Sequence, residues 1–296
     1  MQRRDPRFDE IGYWSELKLD IIREYATVYS RILAAQRRPS LEHIYVDAFA
    51  GSGYHLSKTT GQFVKGSPIN ALSVKPPFSE YHFIDLEAAK VAELRTLVAG
   101  LGNVYVYEED CNRLLLERIL PRCRYRDFRR ALWLLDPYGL DLHWSVIDAA
   151  GHEGSIEVFV NFPVMDINRN VLWRDRSRVP PKQRERLTAF WGDDSWQGAA
   201  YPVKKDLFGH HEEKADNLTV ARAFCEHVRQ DAGFQYTAEP LPMRNTRGAV
   251  VYYLVFASPK PIAPRILSDI FSKYRQREIA SRGDSTDGCA FADRVD

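Results

Sequence analysis

The sequence predicts an α/β fold on a mostly parallel sheet, and three observations point there. Ala131-Leu132-Trp133-Leu134-Leu135 is continuously apolar, as in a strand buried on both faces. Short strand candidates alternate with stretches whose apolar residues recur at three- and four-residue spacing, the pattern of βαβ units. The strand Ile44-Tyr45-Val46 runs into Asp47-Ala48-Phe49-Ala50-Gly51-Ser52-Gly53, where two close glycines let the backbone turn sharply and approach a ligand.

The elements follow in order. Trp14 to Leu33 reads as a helix with Leu17, Ile21, Ile22, Tyr25 and Tyr29 toward the sheet. After the first strand the dinucleotide fingerprint wants a third glycine, and Leu56 stands in its place. The chain continues as a long loop through Gly61, Lys65 and Gly66 to Ser67-Pro68, an N-cap and first-turn proline for the next helix. Tyr81 to Asp85 is the second strand, followed by a helix from Ala88 to Val98. Val104 to Tyr107 is the third strand, followed by a helix over Arg113 to Ile119. Ala131–Leu135 and Ile156 to Val160 are the fourth and fifth strands. From Met165 the alternation breaks. It resumes with a helix over Asn217 to Asp231, strands over Tyr236 to Pro242 and Ala249 to Ala257 around a turn at Asn245-Thr246-Arg247-Gly248, and a closing helix from Ala263 to Arg277.

The strand ends carry the chemistry. A long glycine loop suits a ligand without a diphosphate, and S-adenosylmethionine, with a ribose and an amino-acid end, fits it better than a dinucleotide does. Asp85 is placed to accept ribose hydroxyls, the role of the acid in Rossmann-like folds. Asp110 is placed either at an adenine amino group or as the N-cap of its helix. Asp136-Pro137-Tyr138-Gly139 offers a carboxylate, a backbone carbonyl held by proline and a ring for a planar substrate, though the same four residues also make an ordinary type I turn. Asn161-Phe162-Pro163 repeats a polar side chain, an aromatic and a proline at the next strand end. The expected cofactor residues are Asp47, Phe49, Gly51, Gly53, Asp85, Asp110 and Cys111. Those expected at the chemistry are Asp136, Pro137, Tyr138 and Asn161.

These motifs, with Gly66-Ser67-Pro68, Phe83-Ile84-Asp85, Asp110-Cys111-Asn112, Trp14-Ser15-Glu16-Leu17-Lys18 and the late Tyr252-Tyr253-Leu254-Val255-Phe256-Ala257-Ser258, resemble the three-Cys-motif partner proteins. The resemblance covers roughly Trp14 to Tyr274. It implies a class I S-adenosylmethionine-dependent methyltransferase sheet, mostly parallel with its last strand antiparallel, and a partner protein with a three-cysteine motif. Asp136-Pro137-Tyr138-Gly139 also resembles the Asp-Pro-Pro-Tyr motif of amino-directed nucleic-acid methyltransferases, with Tyr138 standing for the second proline. The expected activity is methyl transfer to an amino nitrogen of a base or related planar substrate. The alternatives are a non-catalytic cofactor-binding subunit of the partner and a nucleic-acid-binding module.

The domain plan follows from these readings. Residues 1–35 form an N-terminal helical segment on the core, and 36–164 with 214–277 form the sheet core. Residues 165–213 are a helical, basic insertion, and 278–296 a mobile tail. Residues 214–277 would otherwise be a separate winged-helix unit. The insertion carries Arg169, Trp173, Arg174 and Arg176, a pairing that suits phosphates and stacked bases, so nucleic acid is a partner to test. Asp175 and Glu185 interrupt it, and the competing reading is a solvated helix with its own ion pairs. A formal charge of +1 over 296 residues gives no global nucleic-acid signal. Four scattered cysteines and the adjacent His210-His211 lack metal-ligand spacing, so no metal is expected. No apolar run nears the roughly 18 residues of a membrane helix, and Met1-Gln2-Arg3-Arg4-Asp5 starts no signal core, so no membrane partner and a cytoplasmic setting are expected.

Overall fold

The computed structural model describes residues 8–206, 209–245 and 247–283. In chain order its strands and main helices are β1 (Glu10–Ile11), α1 (Tyr13–Ala34), β2 (Glu42–Asp47), β3 (Tyr54–Ser57), β4 (Phe63–Lys65), α2 (Ser67–Leu72), β5 (Glu80–Asp85), α3 (Ala88–Leu97), β6 (Val104–Glu108) and α4 (Cys111–Leu114). Then come β7 (Arg129–Leu135), α5 (Trp144–Glu153), β8 (Ile156–Phe162), α6 (Val164–Asn170), α7 (Pro181–Trp191), α8 (Trp196–Ala200), β9 (Val203–Asp206) and β10 (Gly209–Glu212). The last are α9 (Asn217–Gln230), β11 (Tyr236–Thr237), β12 (Leu241–Arg244), β13 (Val250–Ser258) and α10 (Ile262–Gly283).

The central sheet has the order β6-β5-β2-β7-β8-β13-β11, with β12 also on β13. The first five strands are parallel and β13 runs antiparallel to β8. This is the expected Rossmann-like methyltransferase sheet. The chain moves outward from β2 through β5 to β6, then returns to the other side of β2 with β7 and β8. That reversal opens a crevice between the carboxyl ends of β2 and β7, the place where open α/β sheets bind ligands. Asp47 pairs in register with Leu134, so the residues following β7 lie beside the end of β2.

Alternation along the strands divides the core in two. Ile44, Val46, Trp133 and Val158 face one side, under α5, α7 and α9; Tyr45, Phe83, Leu132 and Phe159 face the other, under α1, α3 and α10. Helix α1 fits its expected face, with Ile21, Ile22, Tyr25 and Tyr29 buried. A titratable acid sits deep on that side. Glu157 accepts hydrogen bonds from Tyr25 Oη and Ser258 Oγ, and burial pushes its carboxyl up to about 7 against both bonds.

Several local expectations change. The stretch after the glycines is a hairpin, β3 pairing with β4, and β1 adds a parallel strand on its edge. Its mostly polar, short strands leave no periodic signal to read. Gly66 rather than Ser67 occupies the N-cap of α2, and Ser67 is the first helical residue with Pro68 behind it. The strand expected over Tyr236 to Pro242 splits into β11 and β12, because Pro240 falls between them and cannot donate to a ladder. Helix α10 runs beyond Arg277 to Gly283, since Glu278, Ile279 and Ala280 contain no breaker. Of the expected tail, 278–283 lies in this helix and 284–296 lies outside the described residues.

The insertion packs into the fold. Leu187, Phe190, Trp191 and Trp196 are buried in the same cluster as Val160 and Phe224. Trp191 and Trp196 are therefore core residues, with indole N–H groups bonded to Ser195 and Thr188. Among the described residues no helix is long and apolar enough to cross a membrane, and no group of three or more His, Cys, Asp or Glu could hold a metal ion.

Candidate active site

The glycine loop is built by backbone geometry. Gly51 and Gly53 take φ of +64° and +91°, a region that L side chains enter at a strain cost. Ala50 N–H donates to Ile84 O at 2.8 Å and Gly51 N–H to Asp85 Oδ2 at 2.8 Å, tying the loop after β2 to the end of β5. The other oxygen, Asp85 Oδ1, accepts Glu87 N–H at 2.8 Å. Asp85 is thus the clasp of the loop, a role that its position at a strand end did not disclose. Gly66 N–H returns to Gly53 O at 2.8 Å, and a Cβ on Gly66 would stand 2.9 Å from that oxygen, so the hairpin closes on a glycine pair.

Asp110 caps α4, its Oδ1 accepting Arg113 N–H at 3.1 Å. Cys111 beside it is buried, and burial with the neighbouring Asp110 charge pushes its thiol up to about 12. It is a neutral residue of the hydrophobic core.

At the crevice a buried cation meets two acids. Lys18 lies on the sheet-facing side of α1, four, seven and eleven residues before Ile22, Tyr25 and Tyr29, and is 7% exposed. Its ammonium is ion-paired with Asp136 Oδ2 and sits 5.3 Å from the centre of the Tyr252 ring. Burial alone would lower the lysine pKa, but Asp136, Tyr252 and Asp47 outweigh it and hold the group above its ordinary range. Asp47 is fully buried. Burial pushes its carboxyl up to about 7; Ser67, the Phe49 amide and Lys18 oppose the rise and Asp136 adds to it. Its Oδ1 accepts Phe49 N–H at 3.3 Å while Oδ2 has no partner among the described residues.

A cavity of about 320 Å³ opens over this cluster. Of the expected residues, Phe49, Asp136, Pro137, Tyr138, Asn161 and Arg169 line it. Asp47, Gly51, Gly53, Asp85, Asp110 and Cys111 are not among its lining residues. Lys18, His55, Ser67, Asp166 and Tyr252 also line it, and reasoning from strand ends missed them. The signal for Lys18 was a charged residue on the apolar face of α1; for His55, Asp166 and Tyr252 the sequence held none. Asn161 Nδ2 donates to Pro137 O at 3.4 Å, so the carbonyl expected to meet substrate already has one weak donor. Asn161 Oδ1, Asp166 Oδ2 and His55 Nδ1 are buried without partners among the described residues, in the walls of this one cavity. Burial, then Lys18, holds the His55 ring below its ordinary pKa, so it is neutral at pH 7.

The segment before α1 covers the mouth. Asp9 Oδ2 accepts Tyr138 Oη at 2.7 Å and Lys90 Nζ at 2.9 Å, and Lys90 also reaches Glu87 Oε1 at 2.7 Å. The Lys90 ammonium lies 5.1 Å from the centre of the Tyr138 ring. The ring expected to stack on a substrate therefore carries a cation near its face and is held at its hydroxyl.

The basic set of the insertion is spread out. Arg169 lines the cavity, whereas Arg174 and Arg176 line a separate groove with Lys204, Glu212 and Lys214. Arg176 pairs with Glu212 at 2.7 Å and lies 4.7 Å from the centre of the Tyr201 ring. Trp173 donates its indole N–H to Arg169 O at 2.7 Å and packs against the core.

No protein-family model and no curated protein sequence matches the chain. Among solved structures, it is similar to protein LPL1258 from Legionella pneumophila at 12% identity and a TM-score of 0.43, over 86% of this chain and 91% of that one. It is similar to a candidate S-adenosylmethionine-dependent methyltransferase from Listeria monocytogenes at 12% identity and a TM-score of 0.38, over 80% and 98% of the two chains. An S-adenosylmethionine-dependent methyltransferase from Anabaena variabilis is similar at 10% identity and a TM-score of 0.29, over 81% and 93%. The strand order described above, rather than these distant likenesses, defines the fold.

Proposed function

We propose that the protein is an S-adenosylmethionine-dependent methyltransferase acting on an amino nitrogen of a nucleic-acid base or related planar substrate. The observation that carries this is the pairing at the switch crevice: a glycine loop clasped by Asp85 on one side, and Asp136 and Asn161 lining a cavity beside it. The donor set suits the cofactor. Space beside Gly51 is open, since a Cβ there would meet only His55 Cε1 at 3.9 Å. The unpartnered acceptor Asn161 Oδ1, in the cavity wall, suits a ligand that presents N–H donors. When bound, S-adenosylmethionine supplies an electrophilic methyl group.

The chain's own residues do the rest. Gly51 lets the backbone approach the ligand, Gly53 lets it pack on Leu94 and Leu97, and Asp85, 8% exposed, keeps oxygen lone pairs beyond the two amides it binds. Asp136 accepts a hydrogen bond from the attacking amine, stabilises the positive charge growing on nitrogen as the methyl would leave sulfur, and is placed to take the amine proton afterwards. Asn161 steadies Pro137, and the Asp9–Tyr138–Lys90 contacts fix the rim of the cavity. Arg169 at the lining would meet a phosphate of a nucleotide substrate. A protein with a three-cysteine motif, implied by the resemblance alone, is the proposed partner.

Calorimetry with S-adenosylmethionine and S-adenosylhomocysteine tests the cofactor. Heat of binding is expected, and its absence at millimolar ligand for a folded sample would remove the reading. Incubation with methyl-labelled S-adenosylmethionine and nucleic acid or protein from cells lacking this chain, with and without the partner, then identifies the acceptor. Label in neither fraction, despite cofactor binding, would leave a binding subunit.

A further inference from the structure

Resting on the methyltransferase reading, the geometry points to Lys18 as a positioning residue: it holds Asp136 by one carboxylate oxygen, leaving the other as the acceptor offered to the substrate amine. Three observations meet in it. Lys18 is buried and reaches the cavity from α1, an element outside the strand ends that carry the motifs. Its ammonium is bonded to Asp136 Oδ2, whereas Oδ1 has no protein donor among the described residues. And Asp136 stands beside a second carboxyl, Asp47, across the β2–β7 crevice.

Two neighbouring carboxyls, one of them fully buried, do not both ionise cheaply, and a free carboxylate on a short loop can rotate to share a proton with its neighbour. A lysine anchored in a helix breaks that symmetry. It binds Asp136 directly and Asp47 only through space, so the ion pair is made with the acid that lines the cavity, and burial favours the proton on the one behind it. The groups facing the pair from each side agree. Ser67 from α2 and the Phe49 amide address Asp47, Tyr252 from β13 receives the ammonium on its ring, and His55 from β3 is neutral and adds no competing charge at pH 7. With Lys18 on Oδ2, Oδ1 is the carboxylate oxygen on which no donor of the described residues competes with a substrate amine whose lone pair points to the methyl donor.

The test compares Lys18→Met, which keeps the stem and removes the charge, with Lys18→Arg, which keeps the charge. Calorimetry with S-adenosylmethionine should give affinities within about threefold of wild type for both. Carbon-13 NMR of the aspartate carboxyls, which needs no substrate, should show the Asp136 signal moved and broadened and the Asp47 titration shifted upward in Lys18→Met, with both restored in Lys18→Arg. Where the labelled acceptor is in hand, Lys18→Met should lower kcat at least tenfold with little change in KM, and Lys18→Arg should recover most of it. A loss of cofactor affinity beyond tenfold in Lys18→Met would make Lys18 a cofactor ligand and overturn the proposal. So would an Asp136 signal unchanged in a folded Lys18→Met protein. If wild type itself binds no S-adenosylmethionine, the methyltransferase reading falls, while the NMR comparison still decides whether Lys18 orients Asp136.

Discussion

Replacing Asp47 with asparagine keeps the side-chain shape and removes a carboxyl that the fold disfavours in its charged form. Burial raises this group from 3.8 to about 7. The sign follows from proton binding. The folded state holds the proton more tightly than the unfolded chain, so the stability associated with Asp47 is fully present below about pH 3.8 and is lost as pH rises through about 7. A difference of about three pH units, at roughly 1.4 kcal/mol each, amounts to about 4 kcal/mol at pH 8 and above. Asp47→Asn should therefore match wild type near pH 4 and be more stable by up to about 4 kcal/mol at pH 8, a figure already net of the attraction to Lys18. The assay is urea unfolding at half-unit pH steps from 4 to 9, taking the difference between the two proteins so that other titrating groups cancel. Glu157→Gln is the control remote from the cavity. Its carboxyl rises from 4.5 to about 7, so its difference curve should rise over that window too, and cofactor affinity should be unchanged. A mutant–wild-type difference for Asp47 that is flat across pH, or that favours wild type at pH 8, would refute a carboxyl held near 7 by burial.

Asp85→Ala should weaken S-adenosylmethionine binding by about 1.5–3 kcal/mol through loss of a charge-assisted contact. It should also speed hydrogen exchange at the Gly51 amide, and an unchanged exchange rate would deny the clasp. Asp136→Asn should leave cofactor affinity within a few-fold and slow methyl transfer by about 10² or more, as expected for one lost electrostatic stabiliser; full activity would move the role to Asn161. Trp196→Ala should destabilise the fold by about 3–5 kcal/mol in chemical unfolding, because the indole is buried; a stable mutant with weakened nucleic-acid binding would instead make it a stacking residue. Mutating Arg169, Arg174 and Arg176 to alanine should flatten the salt dependence of any nucleic-acid binding, and Arg169→Ala should account for the part that affects methyl transfer; an unchanged salt slope would leave the set as a solvated face.

Much of this protein was legible in its chain because the information was local. Continuous apolar runs announce β7, glycines after β2 announce a turn near a ligand, and the acids at successive strand ends follow from alternation of strand and helix. What stayed hidden depended on distant parts of the chain. Asp85 was recognisable as a strand-end acid, but that it clasps Gly51 depends on which strand lies beside β2. Trp191 and Trp196 stand in a polar, arginine-rich stretch whose spacing gives no sign of burial, and it is the return of α7 and α8 onto the sheet that buries them. The hairpin of β3 and β4 left no periodic trace, and its pairing with β1 joins residues 10–11 to 56–57. Composition and spacing could mark Asp136 as a carboxylate at a crevice. Only the tertiary structure brings Lys18 to it across 118 residues, because an ion pair in a buried site is set by where the helix face and the strand end meet, and sequence distance says nothing of that.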